Sequence, residues 1–264
     1  MCCVPQHLQA DRDGSEVGVC RTPFDAAAPF DGNNQLAYVA PAMSPKSMPD
    51  PARKPNPPRG PRLPTARAYQ EAAPRMPEGG LDLLEVFPGC AEIEIEIGFG
   101  RGQFLLQRRQ SAPHAGLLGI EIRAKYAYLV ADKCTSLKLP NVRILGGDAR
   151  LLFPELRPAG CVARVVMCFP DPWWKARHAE RRLMDEPLLN AIANMLRPGG
   201  ELFIQTDVEE RAAQFLDAIS ACAAFEKATE SGYIDENPYG ARSNRESRAI
   251  EDGLPIYRLL FRKA

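Results

Sequence analysis

Residues 91–102 read Ala91-Glu-Ile-Glu-Ile-Glu-Ile97-Gly98-Phe-Gly100-Arg-Gly102, and this stretch decides the fold class. Isoleucine alternates with glutamate up to residue 97, which is the two-residue period of a β-strand. The three glycines that follow allow a tight turn and a close approach of a ligand to the backbone. A strand that enters such a turn before a helix predicts the first βα unit of a parallel sheet.

The same alternation of strands and helices continues to the end of the chain. The predicted strands are 91–97, 117–122, 141–145, 163–169, 201–205 and 256–261, and the predicted helices are 103–110, 125–138, 183–196 and 209–221. A polar loop is predicted at 235–251. Right-handed βαβ units of this kind predict a doubly wound, Rossmann-like α/β sheet. We expect it to be mostly parallel, with an antiparallel C-terminal edge strand.

Proline divides the chain into two parts. Residues 1–77 hold 14 of the 25 prolines. Each proline fixes φ and removes a hydrogen-bond donor, so regular structure is disfavoured there. The sequence predicts a disordered, proline-rich arm over residues 1–77 and one α/β domain over residues 78–264.

The overall composition is that of an ordinary globular protein. The 33 basic and 33 acidic residues cancel, so a nucleic-acid partner would need a local basic patch. The eight cysteines have no metal-site spacing, and we expect no metal. The sequence shows no signal peptide and no run of 18 apolar residues, so we expect a soluble cytoplasmic protein. We expect it to be a monomer or a homodimer and to have no membrane partner.

Three features follow successive strands and predict a cofactor site. Ligands of parallel sheets bind beyond the carboxyl ends of the strands. The glycine turn with Gly98 and Gly100 comes first, then Glu121, which suits two ribose hydroxyls, and then Asp148, which suits an adenine amino group. Gln103 breaks the G-x-G-x-x-G pattern, which disfavours a nicotinamide oxidoreductase and favours a nucleoside ligand.

The fourth strand runs into Phe169-Pro-Asp171-Pro-Trp-Trp-Lys175-Ala-Arg177-His178. Two prolines halt the strand and leave Asp171 at the edge of the sheet. Lys175, Arg177, Arg181 and Arg182 form a local basic patch that suits RNA phosphates, and tryptophans suit stacking on bases. Alternatively, the tryptophans belong to the core and the basic run begins a solvated helix.

Four motifs together resemble the bacterial tRNA (guanine-N7-)-methyltransferase family. These are Glu96 to Gly100, Gly119-Ile-Glu121, the run from Phe169 to His178, and Thr206-Asp207. The resemblance covers about residues 80–264. It implies an S-adenosylmethionine-dependent class I methyltransferase that acts on tRNA, at the guanine in position 46 of the variable loop.

The resemblance also implies individual roles. Cofactor contacts are implied at Glu96, Glu121, Asp148 and Asp171, and substrate contacts at Lys175 and Asp207. Family members usually carry T-x-F-E or T-x-Y-E near the C-terminus, where the threonine contacts the substrate. This chain has Ser243-Asn-Arg-Glu246, which keeps a hydroxyl and the glutamate but lacks the aromatic residue.

Guanine N7 carries a free lone pair at neutral pH, so the implied reaction needs no general base. We expect Asp171 to be the catalytic residue, because its carboxylate can orient the guanine against the methyl group and offset positive charge on the purine. Lys175 and the arginines after it would hold phosphates. Two alternatives stay open, a methyltransferase for another RNA or a small molecule, and a non-catalytic RNA-binding scaffold.

Overall fold

Strands and helices alternate along the chain in the computed structural model, which describes residues 62–170 and 184–264. The strands are β1 (Leu81–Asp82), β2 (Glu92–Ile97), β3 (Ala115–Glu121), β4 (Val142–Gly146), β5 (Leu156–Arg157), β6 (Val162–Cys168), β7 (Leu196–Thr206), β8 (Phe225–Lys227), β9 (Tyr233–Ile234) and β10 (Tyr257–Lys263). The helices are α1 (Ala66–Ala72), α2 (Leu83–Val86), α3 (Gln103–Ser111), α4 (Ala124–Ser136), α5 (Ala149–Leu152), α6 (Glu186–Met195), α7 (Glu209–Ser220) and α8 (Asn244–Glu251).

Most of these strands form one sheet in the order β4-β3-β2-β6-β7-β10-β8. The first five of that order are parallel, and β10 is antiparallel to β7. The prediction of a mostly parallel α/β sheet with an antiparallel C-terminal strand is therefore confirmed. The short strands β8 and β9 pair with the other side of β10. The chain leaves β2 towards β3 on one side and returns to β6 on the other, which places the switch point between β2 and β6.

Helices cover both faces of the sheet because alternate side chains of its strands point in opposite directions. Val165 of β6 packs in the large apolar cluster that includes Leu188 and Ile192 of α6. Its neighbour Val166 packs in a second cluster with Phe104 of α3. Both faces are thus buried, as expected for a parallel sheet.

The acidic face of β2 is buried as well. Glu94 is 3% exposed and accepts two hydrogen bonds of 2.8 Å from Arg108. Arg164 of β6 contacts Glu94 and donates to Glu92 at 2.8 Å. Buried charges require such partners, since an unpaired ion inside a protein is costly. Glu92 and Glu94 of β2 therefore belong to an ion network with Arg108 of α3 and Arg164 of β6 rather than to a solvated face.

The ordered part of the chain begins earlier than the predicted domain. Residues 66–72 were assigned to the arm but form helix α1, whose N-cap Thr65 accepts a hydrogen bond from the backbone N–H of Ala68. Tyr69 is 6% exposed, and its ring lies 5.6 Å from that of Tyr128. No proline lies between residues 65 and 73, so a helix forms there. Residues 1–61 lie outside the described residues, and the arm stays a prediction for them.

Helix α8 was not predicted either, because the segment 235–251 was expected to be a loop. Its sequence, Asn244-Arg-Glu-Ser-Arg-Ala-Ile-Glu251, is too polar for an apolar period to be visible. Strand β7 also begins five residues earlier than predicted, with an irregular register against β6. Within the described part of the chain, no helix is long and apolar enough to cross a membrane.

Candidate cofactor and substrate site

A cleft of about 600 Å³ opens at the carboxyl ends of the parallel strands. The turn after β2, the turn after β3, the end of β6, the end of β7 and the start of α8 all contribute to it. The described residues that line it include Gly98, Gly100, Arg101, Arg123, Tyr126, Cys168, Phe169, Pro170, Thr206, Asp207, Arg211, Ser243, Asn244, Arg245 and Arg248.

The glycine turn has the backbone that the sequence predicted. Gly98 has φ +75° and Gly102 has φ +71°, values that side chains rarely allow. A Cβ on Gly98 would meet no atom within 4 Å, so this part of the turn faces open space. A Cβ on Gly102 would lie 2.9 Å from Val130 of α4, so that glycine lets the helix pack closely.

Glu121 joins two of the turns at the cleft. It is 2% exposed, and one of its oxygens accepts a 2.8 Å hydrogen bond from the backbone N–H of Gly100. Its other oxygen accepts from the backbone N–H of Arg123 at 2.9 Å and from the Arg123 side chain at 3.3 Å. Each carboxylate oxygen has two lone pairs, so acceptor capacity remains for a ligand hydroxyl beside Gly100.

Glu96 lies buried at the end of β2 and is 3% exposed. Its Oε2 atom has no hydrogen-bond partner among the described residues. Burial, reinforced by the negative charge of Glu121, raises the pKa of Glu96 to about 8 against a smaller opposing effect of the backbone N–H of Leu105. A buried and under-satisfied acceptor of this kind favours a cationic or hydrogen-bonding ligand at the switch point.

Asp148 is placed differently from Glu96 and Glu121. It caps α5 by accepting from the backbone N–H of Arg150 at 3.0 Å, and it forms a 2.5 Å ion pair with the Arg150 side chain. Like Glu96 and Glu121, Asp148 is not itself among the described residues that line the cleft. Its predicted contact with an adenine amino group stays a prediction.

The backbone bends sharply where β6 meets the cleft. Phe169 has φ +53°, which is unusual for a bulky side chain, and its N–H donates to the carbonyl of Gln205 at 2.7 Å. Strain of this kind concentrates at functional sites. Asp171, Lys175, Arg177, Arg181 and Arg182 follow this bend but lie outside the described residues, so their predicted roles remain predictions.

The end of β7 supplies the other predicted substrate residue. Asp207 lines the cleft and pairs with Arg245 of α8. Ser243, at the start of α8, also lines the cleft, and its hydroxyl accepts from the backbone N–H of Glu246 at 3.1 Å. The predicted substrate residues Asp207 and Ser243 therefore meet in one cavity with Gly98 and Gly100, although Ser243 lies 145 positions after Gly98 in the chain.

Several arginines that line the cleft were not predicted as site residues from the sequence. The cleft is lined by Arg101, Arg211, Arg245 and Arg248. Among the described residues that line it, Asp207 is the one acidic side chain. A signal was present for the last two, because arginines three positions apart share one face of a helix. That signal required α8 to be recognised as a helix.

The fold is the one shared by class I S-adenosylmethionine-dependent methyltransferases. A solved structure of the 16S rRNA methyltransferase KamB shares this fold, with a TM-score of 0.51 over 68% of this chain and 91% of that one, at 15% identity. The open space at Gly98 and the under-satisfied Glu96 fit such a cofactor. The predicted contact of Glu121 with the cofactor ribose stays a prediction.

The comparisons of sequence identify a more specific family than the fold does. Residues 91–259 match a family described as putative methyltransferases. A tRNA (guanine-N(7)-)-methyltransferase of Nostoc sp. is 37% identical over 65% of this chain and 80% of the relative. One of Anaeromyxobacter dehalogenans is 39% identical over 65% of this chain and 86% of the relative. The chain belongs to the tRNA (guanine-N7-)-methyltransferase family, as its motifs predicted.

Proposed function

We propose that this protein transfers the methyl group of S-adenosylmethionine to N7 of a guanine in tRNA, at position 46 of the variable loop. The observation that carries the proposal is one cleft that joins the glycine turn to Asp207 and the arginines of α8. Glu121 lies beside this cleft and accepts a hydrogen bond from the backbone N–H of Gly100, which lines it. The names of the relatives from Nostoc and Anaeromyxobacter support tRNA and guanine N7 as the target.

The described residues divide the cleft into two ends. Gly98, Gly100 and Glu121 would hold the nucleoside part of the cofactor, and Glu96 lies beneath the same turn. When bound, S-adenosylmethionine supplies an electrophilic methyl group on a cationic sulfur. Asp207, at the other end, is a carboxylate acceptor for the N–H groups of a guanine edge.

The chain's task is to position the base, because N7 needs no deprotonation. Holding two reactants in line contributes up to about 7–11 kcal/mol to catalysis. Asp171 follows Pro170, which lines the cleft, and we assign it the role of orienting the guanine and offsetting positive charge on the purine. Lys175, Arg177, Arg181 and Arg182 would hold phosphates, which position the tRNA without specifying its sequence.

The test uses the full chain with labelled S-adenosylmethionine and an unmodified tRNA transcript. The methylated nucleoside and its position are then mapped by nuclease digestion and mass spectrometry. The expected product is 7-methylguanosine at position 46, and a transcript with adenine at that position should not be labelled. Label at another base, in another RNA or on a small molecule only would overturn the proposal.

The role of Asp171 is tested by Asp171→Asn, which keeps the shape but removes the charge. Loss of one preorganised electrostatic contact lowers single-turnover rates by about 100- to 1,000-fold. Binding of tRNA should persist, because phosphate contacts contribute most of the affinity. A variant that methylates tRNA at the wild-type rate would remove Asp171 from the reaction.

A further inference from the structure

Helix α8 is held in place by a buried carboxylate. Glu246 is 0% exposed and accepts hydrogen bonds from Gln205 of β7 at 2.9 Å and from Asn237 at 3.1 Å. Arg258 of β10 donates to it at 3.3 Å. With Ser243 capping the first turn, these contacts fix which side of α8 faces the cleft.

Arg245 precedes Glu246 and lies on the cleft side of the helix. One of its Nη atoms contacts Asp207, whose side chain is 11% exposed, whereas 52% of the Arg245 side chain is exposed. One Nη atom of the guanidinium is therefore held by the carboxylate, and the rest of the group remains open to the cleft. Arg245 also stands where the family pattern has Phe or Tyr.

The pairing with Asp207 limits how Arg245 can meet a guanine. An unrestrained arginine most often binds the O6 and N7 atoms of guanine with its N–H edge, which would cover the nitrogen that must react. An edge engaged by a carboxylate leaves the flat face of the guanidinium available. Arginine planes stack on unpaired bases as aromatic rings do, whereas a lysine ammonium has no such face.

We propose that Arg245 is a base-positioning residue, whose guanidinium is held edge-on by Asp207 and stacks on the target guanine in place of an aromatic ring. This inference rests on the proposed function. It concerns a position at which the family usually has Phe or Tyr, and it gives a physical reason why an arginine can stand there without loss of a flat surface.

Three substitutions separate shape from charge. Arg245→Tyr keeps a flat face and loses the charge, Arg245→Lys keeps the charge and loses the face, and Arg245→Ala loses both. Stacking on a base contributes about 5- to 150-fold in affinity. We therefore expect kcat/KM for tRNA to fall by that factor in the Lys and Ala variants and to stay within about threefold of wild type in the Tyr variant.

The matched control is Arg242→Ala, which removes an exposed arginine that is not among the described residues lining the cleft. It reports the effect of losing one surface charge. The Kd for S-adenosylmethionine, measured by titration calorimetry, and the thermal unfolding midpoint should be the same in all variants. These two measurements separate a positioning role from a structural one.

The opposite order of activities would overturn the inference. If the Lys variant kept the wild-type rate and the Tyr variant were as slow as the Ala variant, the charge of Arg245 rather than its flat face would be what contributes. Equal activity of all three variants, or parallel losses in cofactor affinity and thermal stability, would also refute it. If the wild-type protein itself formed no 7-methylguanosine in tRNA, the proposed function would fail, and that result is distinct from a wrong order among the variants.

Discussion

The buried carboxyl of Glu96 predicts a measurable dependence of stability on pH. Glu96 is fully buried, Oε2 has no hydrogen-bond partner in the described part of the chain, and Glu121 repels its charge. These surroundings raise its pKa from 4.5 to about 8. The substitution that tests this is Glu96→Gln, which keeps the size of the side chain and removes its ionisation.

The sign follows from the two pKa values. Below pH 4.5 the carboxyl is protonated in both states, so the shift leaves stability unchanged. Between pH 4.5 and about 8 the unfolded chain has released the proton and the folded protein still holds it, so the free energy of unfolding falls as pH rises. Each tenfold change in the equilibrium is about 1.36 kcal/mol, which makes the full loss about 5 kcal/mol.

The assay is urea unfolding without cofactor at pH 5, 6, 7 and 8, with wild type and variant side by side. The unfolding free energy of Glu96→Gln minus that of wild type should increase by about 4 kcal/mol over this range. Glu226→Gln, on an exposed position of β8, is the control for replacing a glutamate with glutamine at the surface. A difference for Glu96→Gln that is the same at every pH would show that Glu96 is already ionised in the folded protein.

Three further predictions follow. Glu121→Gln places an amide N–H₂ against the donors of Gly100 and Arg123, so the Kd for S-adenosylmethionine should rise by about 10- to 150-fold in titration calorimetry; an unchanged Kd would remove Glu121 from the cofactor site. Reversing Lys175, Arg181 and Arg182 to Glu should weaken tRNA binding and flatten its log–log salt dependence by about 0.7–0.9 per lost phosphate contact; the original slope would assign these charges to a solvated surface. Deleting residues 1–61 should leave the unfolding free energy unchanged, whereas deleting 1–72 removes the buried Tyr69 and should cost about 1.5–3 kcal/mol; equal stability of the two truncations would show that α1 does not contribute to the domain.

The features that the sequence predicted are those that depend on short stretches of the chain. The period of two in β2, the glycines after it, the glutamate that ends β3 and the aspartate after β4 are local patterns. Parallel strands bring their carboxyl ends to one edge of the sheet. The α/β class, the position of the cleft and the family followed from these patterns. The run from Phe169 to His178 added the specificity for the family, although its own side chains from residue 171 lie outside the described residues.

The tertiary structure decided which distant side chains meet. Glu94 pairs with Arg164, which lies 70 residues further along the chain, and Gln205 pairs with Glu246, 41 residues further along. No local period contains such pairs, because they depend on which faces of separate elements pack together. Helix α8 was not predicted because its position also depends on a contact between separate elements. Its place comes from the buried Glu246 rather than from an apolar stripe, and with it came the contact between Arg245 and Asp207.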